Sequence, residues 1–460
     1  MPGFESAFFF SLREKRKTLA KKKRERQLLC NCLCLPQVGS FSSFPPVAFL
    51  LFVKKKKRAV ENPREPTKRV RKMNAEKLKN EAGKYIDKVR KELIGLSNKI
   101  HDNPETMFQE YKACRWLTSM LESHNFRIEK NVAGLETAFK AVYLSEKKSP
   151  RIAFLAEYDA LPGVGHGCGH NLISTMSAGA AVGLSKIKNL HGSIIVLGTP
   201  AEEGGGGKIT MIEKGIFNQI DAAMMVHPST KNIVGRGALA VKELKIKFKG
   251  KSAHASAEPE KGINALDAVI QTFNNINALR QHLTEDVRIH GIITKGGVKP
   301  NIVPDYSEAL FYVRALDDKY LLKVLEKVKN CAKSAGIATG ASVSFELGSG
   351  YKSKKLNPTL YSVFKKNFER FVSLDKPPEH GGLGSSDIGD LSWVVPAIHP
   401  YISISDRDIP LHSVEFARAA KSDKANKAII IGAKSLAYTA IDLFTNPELM
   451  GKVKEDFRRK

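Results

Sequence analysis

The sequence predicts an α/β protein in which a mostly parallel sheet, layered with helices, is interrupted by a second and smaller unit of different topology. Three observations lead there. Residues 152–156, 194–197 and 222–226 are short, continuously apolar runs of the kind found in strands buried on both faces. The segments between them read as helices, and 171–186 is crowded with Ser, Ala and Gly, which lets a helix approach a sheet closely. From 239 to 350 the rhythm changes to strand (242–249), helix (263–282), strand (287–294), strand (306–315), helix (319–335) and strand (342–347). That βαββαβ order is the split βαβ, or ferredoxin-like, unit, and its position marks it as an insertion.

Outside these segments, Leu78, Ala82, Tyr85, Ile86, Val89, Leu93, Leu96 and Ile100 recur at helical spacing, so the ordered fold is expected to begin near Met73 with one helical face on a core. A shorter helix is expected at 209–217. After the insertion a helix at 358–371, a strand at 401–405 and one long helix at 414–444 resume the larger domain. The expected division is a basic tail at 1–72, a first catalytic segment at 73–238, the insertion at 239–350 and a second catalytic segment at 351–460. Neither an internal repeat nor a transmembrane helix is read from the pattern.

The net charge of +27 would fit a nucleic-acid or membrane-surface protein if it were spread over the fold, so its location decides its meaning. Residues 1–72 hold 19 Lys+Arg against 5 Glu, a net of +14, which leaves less than half of the excess for the remaining chain. The tail has basic runs at 21–26 and 54–58, cysteines at 30, 32 and 34, and an apolar stretch at 44–53. That stretch is far shorter than the roughly 20 apolar residues that span a bilayer. The tail is expected to be disordered; a nuclear or acidic-surface address, or a true start at Met73, are the other readings. Neither nucleic acid nor a membrane is required by the rest of the chain. Six cysteines in 460 residues make no disulfide framework, and the cytosol is the expected compartment. Cys114 and Cys331 fall in helical patterns and read as core thiols.

Open α/β sheets bind ligands outside the carboxyl ends of their strands, so polar residues placed there carry the functional reading. The first buried run leads into Glu157, Asp159 and then Gly165-His166-Gly167-Cys168-Gly169-His170-Asn171. A thiolate at a helix N-terminus is favoured by the dipole, and Cys-x-His in a Gly-rich turn can aim sulfur and imidazole at one point, although a tight turn with a buried thiol also fits. The second run ends in Glu202-Glu203 and four glycines. Two adjacent carboxylates after a buried strand are hard to hold without a cation; one on the metal and one free as a base is the division that chemistry suggests. The third run ends in His227, and His412 precedes the last helix, with Asp387 and His399 upstream. Cys168, His170, Glu203, His227 and His412 together suit zinc or manganese.

At these residues the sequence resembles the co-catalytic metal aminoacylase and carboxypeptidase family. The matching stretches are AEYDALPGVGHGCGHN (156–171), GTPAEEGGGGK (198–208), VHP (226–228), GKSAHASAEPEKGINALDA (250–268), GGVKPNIVPD (296–305) and LHS (411–413), spread over about 75–445. The resemblance implies a two-metal exopeptidase domain that binds two divalent ions, Zn2+ or Mn2+, through Cys168, His170, Glu203, His227 and His412. Glu202 would be general base and acid, and Asp159 would orient a ligand histidine. It further implies that the insertion serves as dimerisation and lid domain in a homodimer, with His254 reaching the substrate of the partner subunit and Asn301 and Arg314 binding a carboxylate or oxyanion. Two departures stand out: Asn171 where many members have Asp, and Glu157 where the more distant carboxypeptidases have His.

The implied reaction is hydrolysis of the amide bond of a small dipeptide or N-acyl amino acid. In the EYDALPG and CGHN stretches the sequence most resembles a dipeptidase branch of that family, and this resemblance implies dipeptides ending in Lys, Arg or ornithine, such as β-alanyl-lysine. The alternatives are an N-acyl-amino-acid or p-aminobenzoyl-glutamate amidohydrolase, or a non-catalytic binding protein on the same fold. No acidic specificity pocket can be read from the chain.

Overall fold

The computed structural model describes residues 68–144, 149–188, 190–377 and 383–459. The readings of the basic runs, the three early cysteines and the apolar stretch at 44–53 lie outside the described residues.

The expected first helix is two, α1 (Lys68–Lys88) and α2 (Arg90–His101), with a break at Val89, where φ −90° and ψ 9° leave the helical range. The apolar spacing nevertheless carries across it, because Ala82, Ile86, Val89, Leu93, Leu96 and Ile100 are all buried. Helix α3 (Tyr111–Ser123) buries Cys114 and leads to β1 (Arg127–Lys130) and β2 (Phe139–Leu144). These are followed by β3 (Arg151–Ala156), α4 (His170–Ser185), β4 (Ser193–Gly198), α5 (Gly207–Glu213), β5 (Ala222–Met224) and β6 (His227–Ser229).

Next come β7 (Ala240–Lys249), α6 (Ala265–Arg280), β8 (Arg288–Lys295), β9 (Tyr306–Ala315), α7 (Asp318–Thr339) and β10 (Ser342–Tyr351). The chain returns through α8 (Pro358–Phe368), α9 (Ile388–Ser392), β11 (Ala397–Ile398), β12 (Tyr401–Ser403), α10 (Val414–Ala419), α11 (Asp423–Thr445) and α12 (Pro447–Arg458).

The main sheet has the order β1-β2-β4-β3-β5-β11. Strands β4, β3, β5 and β11 are mutually parallel, and β2 and β1 extend the sheet antiparallel, so the sheet is mostly parallel with an antiparallel margin. Neither strand was expected: β1 is mostly exposed, and the short apolar run of β2 at 141–144 follows Lys140 and is only partly buried at 142 and 143. In the parallel part Ala156 pairs with Gly198, which brings the chain segments that follow β3 and β4 out at one edge. The chain after β5 continues to β6, which pairs in parallel with β12, His227 against Tyr401.

Every residue of α4 is buried. It lies between the sheet and α11, α2 and α1. Its small residues make that possible: a Cβ on Gly179 would sit 2.9 Å from Leu93 Cδ1 and 3.2 Å from Ala433 Cβ. The long final helix expected at 414–444 is instead α10 and α11, separated at Ser422, whose side chain accepts from the Ala425 N–H and caps the second helix. Among the described residues α11 has the length and apolarity of a bilayer span, and most of it is buried within the molecule. It is a core helix.

The auxiliary sheet has the order β10-β7-β9-β8 and is antiparallel throughout. One face carries α6 and α7, burying Leu244, Ile246, Phe248, Phe311 and Val313 against Val269, Ile276, Val324 and Val328 in a hydrophobic cluster separate from the main core. The expected strand at 306–315 coincides with β9, and the others differ at their ends; β10 runs on to Tyr351.

The close fit of α2 on α4 gives a stability prediction. Leu93→Ala, which removes a fully buried side chain, is expected to destabilise the fold by about 2–5 kcal/mol in denaturant unfolding, and a loss below about 1 kcal/mol would contradict the packing described.

Candidate active site

Where β3 ends, alternation puts Glu157 and Asp159 on one side of the chain and Tyr158 on the other. Tyr158 is buried against Phe139, ring centroids 6.1 Å apart, while its hydroxyl donates to the Thr137 carbonyl. Asp159 is 1% exposed and joins two neighbouring segments. Its Oδ1 accepts from His170 Nδ1 at 2.9 Å, and its Oδ2 accepts from the Glu203 N–H at 2.9 Å. With Nδ1 committed, His170 presents Nε2, which is buried without a hydrogen-bond partner. That nitrogen lies 3.7 Å from Glu157 Oε2, 3.9 Å from Glu203 Oε1 and 4.0 Å from Glu202 Oε2.

The other donors arrive from separate elements. His227 opens β6, and its Nδ1 donates to the Pro228 carbonyl at 2.6 Å, which likewise leaves Nε2 as the available nitrogen. Cys168 is buried just ahead of α4, whose N-cap Gly169 has φ +75°. His412 adopts φ +63°, hydrogen-bonds through its N–H to the Gly167 carbonyl at 3.0 Å, and brings Nε2 to 3.7 Å from Glu203 Oε1. Glu203 Oε1 is itself buried without a hydrogen-bond partner.

These atoms form three overlapping groups, Cys168/His170/His227, Cys168/Glu203/His412 and His170/Glu202/Glu203, and within each all ligand atoms lie within 4.8 Å of one another. Thus the five expected metal donors and Glu202 converge. The Cys168 thiolate and the Glu203 carboxylate, each common to two groups, can bridge two ions, and the orphaned Nε2 and Oε1 are positions that divalent cations would satisfy.

The electrostatics agree. Glu157, Asp159, Glu202, Glu203 and Asp387 crowd around one lysine: Lys208 is fully buried, 2.5 Å from Glu157 Oε1 and 2.7 Å from Asp387 Oδ1. Burial, and then repulsion from Glu157, Glu203 and Asp387, pushes the Glu202 carboxyl well above the usual range. Burial raises Asp387 to about 6 despite Lys208. Negative charge exceeds what Lys208 can balance, and dications restore it. For Cys168 the expectation of a dipole-favoured thiolate needs correction: burial raises its pKa well above the ordinary thiol value, so the helix end alone does not ionise it.

The chain belongs to peptidase family M20/M25/M40. The family's model matches residues 153–415. Relatives include Xaa-Arg dipeptidase of Mus musculus, 39% identical over 421 residues that cover 87% of this chain and 96% of the relative. One component of the p-aminobenzoyl-glutamate hydrolase of Escherichia coli is 28% identical over 451 residues, covering 81% of this chain and 93% of the relative. Among solved structures, the Bacillus subtilis YXEP protein, described as a dinuclear metal binding peptidase from the M20 family, superposes with a TM-score of 0.61 at 21% identity over 78% of this chain and 99% of its own. An M20 peptidase is a metal-dependent hydrolase, and the donor set of this member fits two divalent ions.

Of the three auxiliary-domain residues, His254 belongs to none of the donor groups formed by the described residues of its own chain. His254 is exposed, and its Nδ1 accepts from the Ser256 and Ala257 N–H groups at 3.3 and 3.2 Å. Asn301 is exposed next to it, its carbonyl accepting from the Ala255 N–H at 3.0 Å. Arg314 on β9 reaches Ser385 Oγ at 3.3 Å and keeps a buried Nε without a partner.

Sequence reasoning missed Lys208, the buried cation paired with Glu157 and Asp387. The available signal was a lysine directly after four glycines. The ring of His399 is buried 5.1 Å from that of His227 and forms a wall behind that candidate donor.

Cys168 belongs to two of the three donor groups, so Cys168→Ala is expected to lower the bound metal from two ions per chain towards one, read by plasma emission on dialysed protein. Two tightly held ions in that variant would remove Cys168 from the ligand set.

Proposed function

We propose that this M20 peptidase is a dipeptidase that cleaves dipeptides with a basic C-terminal residue, Lys, Arg or ornithine. The similarity to Xaa-Arg dipeptidase, which extends over 96% of that relative, supports the substrate class. The observation that carries the chemistry is the buried facing pair His170 Nε2 and Glu203 Oε1, both without hydrogen-bond partners and 3.9 Å apart, with Glu202 beside them.

Cys168, His170, Glu203, His227 and His412 would hold the two ions, zinc or manganese. When bound, the pair supplies Lewis-acid polarisation of the scissile carbonyl and lowers the pKa of an attacking water. The protein's own steps are proton transfers and positioning. Glu202 takes the proton from the water and returns it to the leaving amine nitrogen. Asp159 keeps His170 in the tautomer that presents Nε2. Lys208 holds Glu157 and Asp387 in place and offsets part of their charge, while Glu202 and Glu203 face the reaction.

The auxiliary domain, as a ferredoxin-like lid, would supply the remaining contacts: Asn301 and Arg314 to the substrate's carboxylate or oxyanion, and His254 of the partner subunit to the substrate. This reading requires a homodimer, and the exposed edge of β8 is the surface that would form it. Strand β8 is a sheet edge with Ile292 63% and Ile293 43% exposed, and Ile270 of α6, 45% exposed, lies in the same groove. A second reading, hydrolysis of acyl-glutamates, is favoured by the similarity to the p-aminobenzoyl-glutamate hydrolase component.

A panel on metal-loaded protein separates the two. β-Alanyl-lysine is expected to be cleaved and p-aminobenzoyl-glutamate to be cleaved poorly; the reverse order would transfer the assignment to the second reading. Glu202→Gln is expected to retain its metal and lose about 10³-fold in turnover, and undiminished turnover would end the assignment of Glu202. For the dimer, Ile292→Glu is expected to sediment as a monomer with much reduced activity; a monomeric wild type would contradict the shared site.

A further inference from the structure

Glu110, the last residue before α3, is fully buried and its carboxylate is enclosed by donors from three segments. Oε1 accepts from the Ala201 N–H at 2.9 Å and from the Phe108 N–H at 3.0 Å, and Oε2 accepts from Thr137 Oγ1 at 2.8 Å. Both residues bonded by Oε1 have backbones that side-chain-bearing residues rarely adopt: Ala201 and Phe108 each have φ +59°. Ala201 immediately precedes Glu202 and Glu203, and its carbonyl accepts from the Gly205 and Gly206 N–H groups at 3.0 and 2.8 Å, which closes the tight turn that carries both carboxylates.

Phe108 covers the same turn from outside. A Cβ on Gly205 would fall 2.3 Å from the Phe108 ring, so the ring lies directly on the glycine backbone. The third contact reaches β3 as well, because the carbonyl of Thr137 accepts from the hydroxyl of Tyr158, the residue between Glu157 and Asp159. One carboxylate therefore ties the loop before α3, the segment after β3 and the turn after β4. Burial raises it to about 7, the strain expected of an acid kept inside for its acceptor oxygens.

We propose that Glu110 is a positioning residue for the M20 reaction: by accepting the Ala201 and Phe108 N–H bonds it holds the left-handed turn that aims Glu202 at the substrate and Glu203 at the metals. This rests on the dipeptidase reading for its catalytic consequence, while the positioning itself is measurable without substrate. Glu110 touches neither substrate nor metal donors directly; it acts through Ala201. What the turn needs is an acceptor oxygen at that point, and an amide provides one as well as a carboxylate, with its NH2 donating to Thr137.

The experiment compares wild type with Glu110→Gln, Glu110→Ala and Glu110→Asp, each as full-length metal-loaded protein. Amide hydrogen exchange over residues 199–207 is read by mass spectrometry alongside kcat and KM for β-alanyl-lysine. Glu110→Ala is expected to exchange at least tenfold faster across this turn and to lose about 100-fold in kcat with KM within threefold, while Glu110→Gln stays within threefold of wild type in both. Where the alanine variant does not fold, Glu110→Asp, charged but one methylene too short to reach the Ala201 N–H, is expected to show the same losses. Unchanged exchange in the alanine or aspartate variant, or a glutamine variant as impaired as alanine, would overturn the proposal. A wild type that cleaves no dipeptide while these exchange differences hold would refute the assigned reaction and leave the role of Glu110 standing.

Discussion

Carboxylates and imidazoles from distant parts of the chain are forced together at the buried edge of a parallel sheet, and the rest of the molecule is arranged around the charge that results. Glu157, Asp159, Glu202, Glu203 and Asp387 occupy one region with Lys208 as their fully buried cation. Leaving ionised groups uncompensated in such a place costs several kcal/mol per charge. Two divalent ions held by Cys168, Glu203 and the imidazoles would relieve that imbalance and would polarise the carbonyl that an amide hydrolase attacks.

The surrounding fold serves to keep these groups from relaxing apart. Asp159 spends one oxygen on His170 and the other on the backbone of Glu203, so a single side chain fixes a ligand tautomer and the position of a second ligand. The register Ala156 to Gly198 sets the two strand ends side by side before any side chain acts. Behind them α4 is wholly buried, pinned between the sheet and α11 by small residues, which gives the Cys168 and His170 turn a rigid base. The auxiliary domain has its own hydrophobic core, separate from that of the main domain.

Much of this was legible from residue order. Strands β3 and β4 show as continuous apolar runs, and each proposed donor follows a run or precedes a helix, so its place at one edge could be inferred from topology. Strand β1 was not legible because its residues are mostly exposed, and β2 because its apolar run at 141–144 is short, partly exposed and preceded by Lys140. The break at Ser422 was hidden because apolar spacing continues on both sides of a polar cap. Lys208 and Glu110 illustrate a different limit: their partners lie 179 and 91 residues away, at Asp387 and Ala201, and no local pattern announces a pairing of that range.

Crystals grown with zinc or manganese and measured across the metal's absorption edge test the central claim most directly. Two anomalous peaks about 3.5–4 Å apart, flanked by Cys168, His170, Glu203, His227 and His412, are the expected result. A map with no peak there, and those side chains hydrogen-bonded to one another around ordered water, would contradict it.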